Sequence, residues 1–283
     1  NATTGREATK AKNEIERLIN GFLNKLATIR ILDPACGSGN FLYMALLLLL
    51  DLWLEVREFA GEMGMQVPLA LEGFAPHPSQ LYGIEINEYA HELASTTVWI
   101  GYLQWLHRHG FGIPTDPILK PLHNIRKMDA ILAYNSEGDP TEPEWPEADV
   151  IVGNPPFLGG KRLRRKLSDE YVNALFQLYD MAVPREADLV CYWFERSRQM
   201  VASGKVRRVG LLATNSIRGG PNRRVLDRIK ASGDFFMAWS DRDWILEGAA
   251  VNVSMIGFDD GSDTTRTLNG QSVTTINADL TSS

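Results

Sequence analysis

Two short stretches combine residue types whose order could do chemistry. Asp33-Pro34-Ala35-Cys36-Gly37-Ser38-Gly39-Asn40-Phe41 follows a β-branched run and opens a leucine-rich one. Glycines in such a turn let backbone approach a ligand, and the N-terminus of the following helix presents free N–H groups. The position three after Gly39 is Leu42, so the third glycine of the dinucleotide fingerprint is missing, and no Walker lysine follows. The turn therefore suits a nucleoside-like ligand without a phosphate tail. Glu85 stands near the end of the next apolar run, where a carboxylate can accept both hydroxyl protons of a ribose. It lies further from Asp33 than the usual ~20 residues, and the irregular stretch 61–80 accounts for the excess.

The second stretch is Asn154-Pro155-Pro156-Phe157, directly after the apolar run 149–152. The chemistry it suits is alkylation of an exocyclic amine, whose lone pair is delocalised into its ring. Two acceptors, the Asn154 side-chain oxygen and the Pro155 carbonyl, can hold the two N–H protons and draw the lone pair out of conjugation. Prolines stiffen the turn and fix the direction of those acceptors. Phe157 offers a face on which an extruded base can stack. Positioning and fixed dipoles supply the catalysis, with no metal or activated serine required.

The elements that must position these stretches follow from hydrophobic spacing. Apolar residues at three-and-four intervals predict a helix over 8–27, and Thr28 to Leu32 reads as a strand. A leucine-rich helix after Asn40, a strand over 81–86 and a helix over 88–107 come next. Residues 109–121 read as a loop, a short strand lies within 123–128, and the Pro/Glu-rich piece 135–146 reads as a surface loop. Helices are predicted over 169–180, 188–202 and 222–231. Strands are predicted over 208–213, 235–239 and 251–258, and the tail after 261 reads as a hairpin beyond the core. The alternation argues an α/β fold, a doubly wound, mostly parallel sheet with an antiparallel edge. Both chemical stretches then fall at the carboxyl ends of strands, where such sheets bind ligands.

Composition narrows the class. With 283 residues, 44% hydrophobic and 23% charged, the chain can build a full core, which excludes disorder and fibrous repeats. Cys36 and Cys191 cannot make a disulfide framework, which points to a reducing, cytoplasmic setting. His91, His107, His109 and His123 lack metal spacing with any cysteine, so no metal is expected. The apolar run 41–54 is interrupted by Asp51 and falls short of the roughly 18 residues a membrane span needs. The chain starts at Asn1, as expected of a piece of a longer protein. The net charge is −6, but it is unevenly spread: residues 157–230 hold 16 Lys/Arg against 7 Asp/Glu, and acidic segments flank them. Its densest part, Lys161, Arg162, Arg164, Arg165 and Lys166, is either a solvated helix face or the footprint of a polyanion. Trp239 and Trp244 read as buried aromatics rather than the walls of a DNA channel.

Asp33 to Leu42 (DPACGSGNFL) and Asn154 to Phe157 (NPPF) resemble motifs I and IV of the S-adenosylmethionine-dependent amino-group DNA methyltransferases that act on adenine. The stretches ADLVCYWFERS (187–197), GLLATNSIRGG (210–220) and MAWSDRDWILEGAAVNVSMIGF (237–258) are similar to the methylase part of type IIL restriction–modification enzymes and related phage-defence methylases. The resemblance implies a seven-stranded Rossmann-like methyltransferase sheet with S-adenosylmethionine as cofactor. It implies cofactor contacts from Asp33, Ala35, Cys36, Gly37 and Gly39, from Glu85 on the ribose with Ile86 beside it, and from Asp129 near the adenine. Asp188 would support the methionine end. Asn154, Pro155, Pro156 and Phe157 form the catalytic loop, with Asn154 also touching the cofactor. The partner implied is double-stranded DNA with a flipped adenine, gripped by Lys161, Arg162, Arg164, Arg165 and Lys166. The implied organisation is a helical segment 1–28, a catalytic domain 29–260 and an extension 261–283. That extension would lead to a recognition domain elsewhere in the protein, which could also carry a nuclease. The N-terminal Phe-x-x-Pro cofactor motif of the family is absent before Asp33. Two alternatives stay open: methylation of an rRNA base or a protein glutamine amide, or an inactive cofactor- or DNA-binding module of a larger defence protein.

Overall fold

The computed structural model describes residues 2–65, 75–112, 122–246 and 249–282. The chain runs α1 (Ala2–Thr28), β1 (Ile31–Asp33), α2 (Asn40–Glu62), β2 (Leu81–Glu85), α3 (Glu88–Arg108) and β3 (Ile125–Lys127). A small hairpin of β4 (Ala133–Tyr134) and β5 (Pro140–Thr141) precedes β6 (Val150–Gly153). Then come α4 (Leu163–Lys166), α5 (Asp169–Leu178), α6 (Val190–Ala202), β7 (Arg208–Thr214) and α7 (Gly220–Ser232). The chain closes with β8 (Asp234–Leu246), β9 (Ala249–Asp259), β10 (Thr267–Leu268) and β11 (Gln271–Ser272). The remainder of the expected irregular stretches, 66–74 and 113–121, lies outside the described residues.

The main sheet has the order β11-β10-β8-β9-β7-β6-β1-β2-β3. β1 pairs in parallel with β2 on one side (Leu32 with Tyr82) and with β6 on the other (Leu32 with Ile151). The strand order therefore reverses at β1, and a crevice opens outside the carboxyl ends of β1 and β6. The two chemical stretches leave those two neighbouring strands. β9 is antiparallel to both β7 and β8 inside the late half of the sheet, and β11, antiparallel to β10, forms its rim, so the expected antiparallel edge is present.

Each face of the sheet is covered because each helix has an apolar stripe of its own. On one face Leu42, Leu46, Leu50 and Trp53 of α2 interlock with Val98 and Trp105 of α3 and with Ile19, Leu23 and Leu26 of α1. On the other, Val172 and Leu175 of α5, Tyr192 and Phe194 of α6 and Leu226 of α7 bury Leu32, Ile151 and Leu211 of the strands. The leucine run 46–50 thus belongs to a packed helix, and among the described residues no helix is long and apolar enough to cross a membrane.

Three expectations need correction. Residues 135–146 are not all surface loop, because Trp145 is buried, donates from Nε1 to the Ala130 carbonyl at 2.7 Å and lies under the Arg196 guanidinium. The tail forms the expected hairpin, β10 with β11, but it does not lie beyond the core: β10 adds to β8 in parallel, and Leu268, Ile276 and Leu280 join the core, giving nine strands instead of seven. Trp239 and Trp244 are only half-buried, with Arg242 stacked 4.4 Å from the Trp239 ring centroid.

Candidate active site

The glycine turn is held from three sides. Asp33, 1% exposed, accepts the Ala35 N–H at 3.0 Å. The Cys36 N–H donates to the Ile84 carbonyl of β2 at 3.0 Å, and Trp193 of α6 donates from Nε1 to the Pro34 carbonyl at 2.9 Å. Gly37 and Gly39 have φ of 54° and 85°, in the left-handed region where a Cβ costs roughly 1–2 kcal/mol. They differ in surroundings. A Cβ on Gly39 would lie 3.0 Å from the backbone of Ala94 in α3, whereas one on Gly37 would meet nothing within 4 Å. Gly37 therefore faces open space, as a backbone meant for a ligand should.

Glu85 bridges the turn and the next helix. Its Oε2 accepts the Gly37 N–H at 2.9 Å and its Oε1 the Asn87 N–H at 2.7 Å. Each oxygen keeps a lone pair for a further donor such as a ribose hydroxyl. Ile86, 64% exposed, offers an apolar surface beside it. Burial pushes the Asp33 carboxyl up to about 7, partly opposed by the Ala35 N–H and reinforced by the charge of Glu85. Burial first, then Asp33 and Glu85, push the Cys36 thiol up, so it stays protonated and has no chemical duty here.

Asp129 caps the bend after β3, with Oδ1 accepting from Ile131 N at 2.8 Å and Leu132 N at 3.2 Å. Its Oδ2 accepts the Tyr171 hydroxyl at 2.8 Å, and burial followed by the Asp129 charge raises that phenol so that it keeps its proton. Sequence reasoning missed Tyr171, whose only signal was an aromatic in the amphipathic α5.

The Asn154 loop meets the first turn directly: a Cβ on Gly153 would stand 2.6 Å from Asp33 Oδ1. Asn154 Oδ1 is buried and has no hydrogen-bond partner among the described residues. Buried acceptors are rarely left unmatched, so one that is points to a missing donor. Pro155 is buried, Pro156 exposed, and Phe157 is half-buried against the core of the α5–α6–α7 face.

The remaining expected residues divide. Asp188 does not reach into the Gly37 turn by any hydrogen bond; both its oxygens are taken by Gly160, Ser216 and Asn222. Arg164 is drawn back onto its own helix pair, bonded to Asp169 and Asn173, each at 2.8 Å. Lys161, Arg162, Arg165 and Lys166 are exposed. Lys161 and Arg162 line a cavity of about 810 Å³ together with Asn215, Arg218, Gly219 and Asn222. Among the described residues, no group of three or more His, Cys, Asp or Glu could hold a metal ion.

The chain that carries this arrangement, an open glycine turn with a carboxylate alongside and an orphan amide acceptor, is similar to known proteins. Residues 7–269 match the family model of the MmeI DNA-methyltransferase domain. The chain belongs to that family. Over 254 residues it is 28% identical to DNA methyltransferase A of Bacillus subtilis (strain 168), covering 85% of this chain and 27% of that protein. The type IIL restriction–modification enzyme MmeI in complex with DNA matches with a TM-score of 0.74 at 23% identity, over 97% of this chain and 39% of that one. The ATP-dependent type ISP enzyme LlaBIII bound to DNA matches at 0.52 and 16% identity, over 83% of this chain and 17% of that one. These two likenesses show the fold. The chain thus spans between about a sixth and two fifths of the length of these three relatives. As an MmeI-type methyltransferase domain it uses S-adenosylmethionine, and the open turn at Gly37, with Glu85 alongside, fits that group.

Proposed function

We propose that this MmeI-type domain methylates the exocyclic 6-amino group of an adenine turned out of duplex DNA, within a restriction–modification or phage-defence protein. The unpartnered Asn154 Oδ1 carries the reading. An aromatic amine has two N–H donors, and the loop offers one buried free acceptor with the Pro155 carbonyl next in sequence. Holding both protons rehybridises the nitrogen and makes its lone pair available, which is the preorganised electrostatic help such a weak nucleophile needs. Phe157 supplies the stacking face. When bound, the cofactor supplies an electrophilic methyl group. Gly37 and Glu85 would seat its adenosine, Ile86 and Asp129 its base, and the Gly153–Asp33 contact sets the distance between cofactor turn and catalytic loop.

Turning a base out of the stack costs a few kcal/mol, which phosphate contacts can offset. Lys161 and Arg162 follow Phe157 within five residues and face the large cavity, so the backbone flanking the extruded nucleotide would run there. Sequence recognition would belong to a further part of the same protein. The test is methyl transfer from labelled S-adenosylmethionine by the intact protein to duplex DNA, followed by nucleoside analysis. The reading expects label in N6-methyladenine. Label only in rRNA or in protein glutamine would replace it.

A further inference from the structure

The carboxylate of Asp188 is engaged on all sides. Its Oδ1 accepts the Gly160 N–H at 2.9 Å, and its Oδ2 accepts the Ser216 hydroxyl at 2.7 Å and Asn222 Nδ2 at 2.8 Å. Asn222 of α7, 6% exposed, returns the contact by accepting the Asp188 N–H on its own Oδ1 at 2.7 Å. One residue on, Leu189 N donates to the Leu158 carbonyl at 2.8 Å. Gly160 packs so closely that a Cβ there would stand 2.2 Å from the Glu186 carbonyl oxygen. The far end of the segment that begins at Asn154 is therefore fastened to 186–189, and through Asn222 to α7. Its near end is fastened by the β6 ladder, where Gly153 pairs with Leu211.

We infer that Asp188, seated by Asn222, is a positioning residue that clamps the catalytic loop and is not a ligand of the cofactor. This rests on the methyl-transfer reading above. A loop anchored at one end swings about that end, and a displacement of about 1 Å at reacting atoms can cost about a hundredfold in rate. A carboxylate is the group this clamp needs, because three donors converge on it and it is acceptor-only when ionised. Charge-assisted bonds of this kind are roughly twice as strong as neutral ones. An amide in its place would point an NH2 either at Asn222 Nδ2 or at the Gly160 N–H, and one contact would be lost whichever way it turned. The paired exchange, Asp188→Asn with Asn222→Asp, puts a donor back against an acceptor while Oδ1 at position 188 still serves Gly160.

The experiment compares wild type, Asp188→Asn and the paired exchange in the intact protein by three readouts. These are single-turnover methyl transfer at saturating cofactor and DNA, S-adenosylmethionine affinity by calorimetry, and amide hydrogen exchange over residues 156–162. Asp188→Asn should slow transfer at least tenfold, leave cofactor affinity within twofold and speed exchange in the loop. The paired exchange should recover most of the rate and the protection. A tenfold loss of cofactor affinity with the saturated rate unchanged would make Asp188 a cofactor ligand and overturn the clamp. Unchanged rate and exchange in Asp188→Asn, or no recovery in the paired exchange, would overturn it as well. If wild type methylates no DNA at all, the functional reading fails by itself, while loop exchange still decides whether the clamp exists.

Discussion

Gly37 and Gly39 stand two residues apart in one turn, yet their replacement should fail in opposite ways. Both have positive φ, so any side chain costs roughly 1–2 kcal/mol of backbone strain. For Gly39→Ala the new Cβ would also press at 3.0 Å on the Cα and carbonyl oxygen of Ala94, backbone atoms of a helix packed in the core. Overpacking of that kind adds about 1–3 kcal/mol, for a total of about 3 kcal/mol, or a fall of about 6–12 °C in Tm. Gly37→Leu brings a far larger side chain but nothing lies within 4 Å of its Cβ, so only the strain applies, roughly 1–2 kcal/mol and about 2–8 °C. That leucine would occupy the open face where the cofactor is expected. Its S-adenosylmethionine affinity should fall at least a hundredfold, about 2.7 kcal/mol. Thermal unfolding without cofactor and calorimetric titration read the two quantities separately. The reasoning is wrong if Gly37→Leu proves the less stable of the two, or binds cofactor within threefold of wild type.

Neutralising Arg165 and Lys166 together should weaken binding to every duplex sequence and flatten the plot of log K against log salt by up to about two units, with cofactor affinity unmoved. Arg164→Gln should change that slope less, since Asp169 and Asn173 already hold its guanidinium; equal effects would contradict this division. Burial lifts the Asp33 carboxyl from 3.8 to about 7, so the folded state holds its proton where the unfolded chain has lost it. Unfolding free energy measured without cofactor should therefore decline as pH rises from about 4 to 7, by a contribution on the order of 4 kcal/mol that Asp33→Asn removes. A cation-bearing cofactor beside Asp33 favours the ionised form, so S-adenosylmethionine should bind more tightly at pH 8 than at pH 6 and release protons on binding. Calorimetry in buffers of different ionisation enthalpy would detect no release if the assignment were wrong.

Much of this was legible because local signals and tertiary demands agree. The turn 33–40 could be placed from its glycines and the apolar runs on either side, and β1 and α2 flank it as expected. The adjacency of Asn154 to that turn also followed, since alternating strands and helices put both at carboxyl ends. What stayed hidden depends on partners far along the chain. Nothing around Trp145 announces Arg196, about fifty residues away, whose guanidinium covers the indole and pairs with Glu142. The strand predicted over 235–239 stops short of the charged residues 241–243, yet β8 continues through them to Leu246 because β9 supplies its hydrogen bonds past two register shifts. Asp188 carried a role borrowed from resemblance; its three donors come from Gly160, Ser216 and Asn222, which no spacing rule connects. Tyr171 lay hidden for the same reason, forty-two residues from the carboxylate it serves.

The central claim is that the free acceptor of Asn154 holds the target amine, and Asn154→Ala tests it most directly. Single-turnover transfer of labelled methyl to duplex DNA, at saturating S-adenosylmethionine, should fall at least a hundredfold, about 2.7 kcal/mol in transition-state stabilisation. Calorimetric cofactor affinity of the same variant should remain within a few-fold of wild type, because the buried oxygen removed has no partner among the described residues and its proposed partner is the target amine. Transfer at near the wild-type rate in a variant that still binds cofactor would contradict the account.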